Sequence, residues 1–87
     1  MKLIALKKEM GFTVPYMFLN IETAKTLLKD AIHSQQKEYS DDELNDSRNA
    51  SKDWELWLVG EYNTETGEIE SFPTPIGKFN EVVYGIK

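Results

Sequence analysis

The stretch Asp53–Tyr62, DWELWLVGEY, constrains the fold of this chain most. Side chains alternate across a strand, so Trp54, Leu56, Leu58, Gly60 and Tyr62 share one face, and Asp53, Glu55, Trp57, Val59 and Glu61 share the other. A strand with one apolar and one mixed face needs partners on both edges and a layer over its apolar side. The next residues supply one partner. Asn63 to Gly67 reads as a type I turn followed by a glycine bulge, in which Gly67 provides the positive φ, and the segment EIESF then returns alongside. Pro73 and Pro75 are expected to end that returning strand.

Two further extended segments lie near the N-terminus. KLIALKK has a continuous apolar centre, which suits a strand buried on both faces. Gly11 ends it. TVPYMFLN is a second extended piece suited to a sheet edge, because Pro15 biases Val14 to extended geometry and removes one ladder donor. At the other end, KFNEVVYGI places Val82, Tyr84 and Ile86 on alternate positions and is expected to add a last strand.

The layer over the sheet is a helix starting at Ile21. Asn20 is a favoured N-cap, Glu22 lies where the helix dipole favours a carboxylate, and Ile21, Ala24, Leu27, Leu28, Ala31 and Ile32 follow helical spacing. The helix should reach Gln36 or Lys37. Residues 38–52, KEYSDDELNDSRNASKD from Lys37 to Asp53, are polar and acidic and read as a surface excursion; Ser40 and Glu43 match a capping box, which allows a short second helix. The expected fold is therefore a single α+β domain over residues 1–87, an antiparallel-rich sheet with one main helix on a face, in the order β-β-α-(short α)-β-β-β.

An 87-residue chain has room for one core, and a domain of this size buries only about 60–65% of its unfolded surface. With no cysteine, packing has to hold it, and self-association that covers apolar surface would help; a homodimer is expected. The apolar run near the N-terminus is only four residues long, too short for a signal-peptide core, and no stretch approaches a membrane span, so a cytoplasmic protein is expected.

Catalysis needs convergent groups, and few are available. His33 is the only histidine, there is no Gly-rich phosphate loop, and no nucleophile-elbow pattern occurs. A non-enzymatic protein without cofactor or metal is expected. Asp41, Asp42, Glu43 and Asp46 are carboxylates of the kind calcium prefers, but they lack EF-hand spacing and read better as a solvated, partner-facing acidic segment.

The charge is unevenly spread. Net charge is −5, yet residues 1–37 carry six lysines against three carboxylates, whereas residues 38–87 carry four cations against twelve. Lys2, Lys7 and Lys8 cluster at the N-terminus, and Lys25, Lys29, His33 and Lys37 recur every fourth residue along one side of the helix. Such a row is suited to phosphate contacts, with His33 tunable by pH, but it reads better as an ordinary solvated face partly neutralised by Glu22 and Asp30. Trp57, with Val59 beside it, reads as core under a second layer, as a homodimer contact, which is the preferred functional role, or as a stacking platform for an unpaired base, against which the flanking carboxylates Glu55 and Glu61 count.

The segment DWELWLVGEYNTETGEIESFPTP resembles the small nonstructural protein of gokushovirus-type Microviridae, the single-stranded DNA phages. The likeness lies in Asp53-Trp54-Glu55-Leu56, in Gly60 and Tyr62, in the Thr66-Gly67 hairpin, and in the proline that follows at 73 or 75. PYMF followed by the capped helix NIETAKTLLKDAI is similar to the family's Pro-aromatic segment and helix start. Residues 38–52 depart from it in being longer and more acidic. The resemblance implies a nonstructural phage protein of the bacterial host cytoplasm, DNA-binding and acting in viral DNA replication or packaging, with single-stranded DNA or phage replication and packaging proteins as partners. The family has no catalytic residues to carry over. The alternative expectation is an acidic protein-interaction module or a DNA-mimicking inhibitor of a host nucleic-acid enzyme.

Overall fold

A computed structural model describes residues 1–86. The chain runs β1 (Lys2–Lys8), β2 (Gly11–Phe12), β3 (Tyr16–Phe18), α1 (Ile21–Gln35), α2 (Asp41–Ala50), β4 (Glu55–Tyr62), β5 (Ile69–Lys78) and α3 (Phe79–Tyr84). The five strands form one antiparallel sheet in which β1 and β4 are central. The short strands β2 and β3 both pair with the outer side of β1, and β5 forms the opposite edge. The fold is α+β, with α1 as the main helix packed on the sheet.

Alternation places Ile4, Leu56 and Leu58 under the helices. Ala24 of α1 meets Ile4 and Leu58, while Phe79 and Val83 of α3 meet Leu56. Ile76 joins the two clusters into one core layer. Ile4 and Ala5 are both buried, as a central β1 requires.

Both helix starts follow the expected chemistry. The Asn20 side chain accepts from the Thr23 amide at 2.8 Å and opens α1, which ends at Gln35, one turn position short of Gln36. Ser40 and Glu43 form a complete capping box, and α2 runs ten residues from it. Its far end is held by a knot that spacing does not show: Asn80 Nδ2 donates to the Arg48 carbonyl at 2.8 Å, and the Ser51 hydroxyl, 2% exposed, donates to Asn80 Oδ1 at 2.7 Å.

Two expectations are corrected. Pro73 and Pro75 do not end the returning strand; β5 continues to Lys78, because as an edge strand it pairs only with β4 and can do without two donors. The segment expected as a last strand is instead α3. Phe79, Val82 and Val83 are spaced for one helical face, and Gly85, at φ 70°, closes the helix in the left-handed region. The piece TVPYMFLN is at an edge as expected, but only Tyr16–Phe18 of it is strand, and Gly11, expected as a strand end, instead opens the short strand β2.

A register slip interrupts β4. Leu58 lies opposite Ile4, but Gly60 lies opposite Leu3, so Val59 is an extra residue and the strict alternation stops there. The same place forces Gly60 to be glycine: a Cβ would sit 2.1 Å from the Glu70 carbonyl oxygen of β5.

Candidate nucleic-acid interface

Trp57 lies on the face of the sheet away from Ile4, Leu56 and Leu58, and so away from α1 and α3. α2 follows α3 through Asn80 and through Arg48, whose guanidinium lies 5.0 Å from the Tyr84 ring centroid. The helices are thus gathered on one side. Trp57, half-buried, is on the other.

Cross-strand register assembles its surroundings. Phe12, Lys7, Glu55 and Lys78 stand opposite one another in turn on β2, β1, β4 and β5, and the adjacent row is Ala5, Trp57 and Pro75. Directly opposed residues point to the same face. The Phe12 ring meets Trp57 edge-on with centroids 5.4 Å apart, and the Lys7 ammonium lies 5.1 Å from the Trp57 ring centroid. Trp57 Nε1 donates to Glu55 at 3.4 Å, which fixes the tilt of the indole. Glu55 therefore sits between two lysines, and neither Lys7 nor Lys78 forms an ion pair within 4 Å among the described residues. The local balance is one net positive charge around two aromatic rings, on a chain whose total is −5.

The other sequence candidates divide between surfaces. Lys2 pairs with Glu61, and the lysine's hydrogen bond, reinforced by its charge, lowers the Glu61 carboxyl below its usual range. Lys8 lies 4.4 Å from the ring centroid of Trp54, which is on the helix side and packs edge-on against Phe79. Lys25 and Lys29 flank a cleft of about 300 Å³ with Gly77 and Glu81, also on the helix side. His33 is engaged: its Nε2 donates to the Val83 carbonyl at 2.7 Å, and its ring lies roughly parallel to Tyr84. Lys37 is exposed beyond the end of α1. The helix stripe and Trp57 are therefore on opposite sides of the sheet, and a single strand of nucleic acid lying flat on one side meets only one of them. Val59, half-buried at the bulge, follows Trp57 by two residues.

The acidic residues have local structural roles. Asp41, Asp42 and Glu43 occupy the first turn of α2, where carboxylates favour the helix dipole, and Asp46 is exposed one turn on. Among the described residues no three acidic, histidine or cysteine side chains converge as metal ligands. A cavity of about 590 Å³ at the hairpin end is lined by Glu61, Glu65, Glu68 and Glu70, which would repel phosphate.

Phe12 and Lys78 were not legible as site residues. Phe12 reaches Trp57 only because the tight β1–β2 turn sets it beside Lys7, and Lys78 does so only because β5 runs past its prolines. No family model, curated protein or solved structure matches this chain.

Proposed function

We propose that this chain is a nonstructural accessory protein of a gokushovirus-type single-stranded DNA phage, acting in the host cytoplasm by binding single-stranded DNA during genome synthesis or packaging, without catalysis. The phage assignment rests on the sequence resemblance. The observation that carries DNA binding is the cluster of Trp57, Phe12 and Lys7 on the helix-free face, with Lys78 across from Glu55. A base offers a π-face of any sequence to an aromatic ring, and each such stack is worth about 1–3 kcal/mol. Lys7 rests over the indole in the free protein; an arriving base displaces it, and its flexible stem can then carry the ammonium to a neighbouring phosphate. The acidic hairpin end confines the strand to the part of the sheet around Lys7 and Lys78.

Fluorescence anisotropy of a labelled oligonucleotide across a salt series tests the reading. Binding should weaken with salt, and Trp57→Ala should reduce affinity about tenfold or more in a protein that remains folded. Lys7→Gln with Lys78→Gln should flatten the log–log salt slope by about 1.4, given about 0.7 per phosphate contact on single strands. Loss of binding in Lys25→Glu/Lys29→Glu, with Trp57→Ala unaffected, would move the DNA to the helix side. Absence of binding at low salt would refute the DNA reading and turn attention to the acidic hairpin end as a contact for a basic replication or packaging protein.

A further inference from the structure

The chain exposes more surface than its mass calls for. Its accessible area is 6196 Å², against about 5,200 Å² for a folded monomer of 10.0 kDa. The Cα radius of gyration is 14.1 Å, where a compact domain of this length has about 12 Å. The excess is not spread evenly. Among the described residues, twelve large apolar side chains stay exposed, and six of them, Met10, Phe12, Val14, Tyr16, Met17 and Leu19, fall within ten consecutive positions. That clustering places the uncovered surface on the β2–β3 edge.

Three observations determine what covers it. Residues 10–21 contain no lysine, arginine, histidine, aspartate or glutamate, although 29% of the chain is charged. Two copies of a protein with net charge −5 meet with less repulsion at a surface free of charged side chains, and this edge is one. Next, β3 pairs with β1 on one side and, among the described residues, with no strand on the other, which leaves its outer backbone groups free to template a further strand. Beside that edge lies an apolar groove of about 400 Å³ between β3 and α1, with Val14, Tyr16, Phe18 and Leu28 in its lining. Finally, the exposed apolar side chains of this edge are large, and pairing the edges would cover area towards the roughly 800 Å² that each partner contributes to a stable interface of standard size.

We infer that the β2–β3 edge is a homodimer interface, in which β3 of one copy pairs antiparallel with β3 of a second across a two-fold axis and the partner's 13–19 segment closes the groove beside α1. The same patch serves both copies, as a two-fold axis demands. Phe12 belongs both to this edge and to the Trp57 cluster, so the variants that test the interface are placed at Val14, Tyr16 and Met17, away from that cluster.

Sedimentation equilibrium from about 1 to about 200 μM, which reaches past the weak, micromolar end of affinities for interfaces of standard size, tests it on the full chain. The parent should approach twice its 10.0 kDa mass, and Val14→Asp/Tyr16→Asp, which alters exposed positions, should return to the monomer mass with an unchanged circular dichroism spectrum. A cysteine-free chain allows a second readout. Opposed Cα atoms in an antiparallel pair lie about 4.5–5.5 Å apart, within disulfide range. Met17→Cys at the centre of β3 should therefore form an oxidised dimer, while Ile69→Cys on β5 stays reduced. A parent that remains monomeric at the highest concentration, or a dimer indifferent to Val14→Asp/Tyr16→Asp, or cross-linking through Ile69→Cys instead, would overturn the assignment.

Discussion

Replacing Asn80 with alanine should release α2 without unfolding the sheet. The Asn80 amide donates to the Arg48 carbonyl and accepts from the Ser51 hydroxyl, so one side chain holds the last turn of α2 against the start of α3. Loss of the Asn80–Arg48 bond costs about 1 kcal/mol net and leaves a part-buried carbonyl unpaired for about 1 kcal/mol more, while the Ser51 hydroxyl can turn wholly to the Ser47 carbonyl at 2.9 Å, so the change costs about 2 kcal/mol. A ten-residue helix is marginal without such support, and the cost should fall on α2 itself. At about 1.4 kcal/mol per factor of ten, the local opening constant rises about 30-fold. Hydrogen exchange of Asn80→Ala, followed amide by amide, should show that acceleration over Asn45–Ser51 with β4 and the sheet-facing part of α1 changed far less. Protection in α2 within threefold of the parent would refute the argument that the knot holds the helix. Equal acceleration everywhere would refute the argument that α2 opens separately from the domain.

Other perturbations test the core, the bulge and the one ion pair. Gly60→Ala drives a Cβ into the Glu70 carbonyl oxygen, a main-chain atom with little room to yield, so overpacking should cost about 3 kcal/mol and lower the melting temperature by about 12 °C or more; a shift under about 2 °C would show that the strands separate there easily. Val83→Ala empties a fully buried site of two methyl groups and should cost about 2 kcal/mol by urea denaturation, with the m-value unchanged. The Lys2 hydrogen bond, and then its charge, keep Glu61 more acidic than an ordinary glutamate. Its contribution to stability is present above the unfolded-state pKa and fades as pH falls through the lower folded value. Lys2→Met should accordingly raise the Glu61 titration midpoint, followed by carboxyl NMR, towards the usual glutamate range; an unmoved midpoint would show that Lys2 is not its cause.

What the sequence disclosed was chiefly local. The Asn20 cap, the Ser40–Glu43 capping box and the Gly67 turn each depend on residues within a few positions of one another, and all three form as read. The hairpin turn is closed by Asn63, whose side chain accepts from the Glu65 and Thr66 amides. The failures depend on distant partners. Val82, Tyr84 and Ile86 alternate like a strand, but Phe79 and Val83 share a helical face as well, and it is the Leu56 side of the sheet that selects the helix. Pro73 and Pro75 look like stop signals until β5 is known to be an edge. The order of α2 depends on Asn80, some thirty residues on. At the candidate site, Trp57 was legible as an anomaly among carboxylates, but its neighbours Phe12 and Lys78 come from other strands, and only the register brings them to it.

The two prolines of β5 have a consequence for how far assembly can go. A sheet with two open edges has a valency of two and can add copies without end, as fibres do. Here one edge has lost two backbone donors to Pro73 and Pro75 and has irregular pairing beside them, while β3 remains free. In the proposed dimer each chain would therefore be monovalent in strand addition. When one β3 edge meets another, only proline-bearing edges face outward, and growth terminates at two copies.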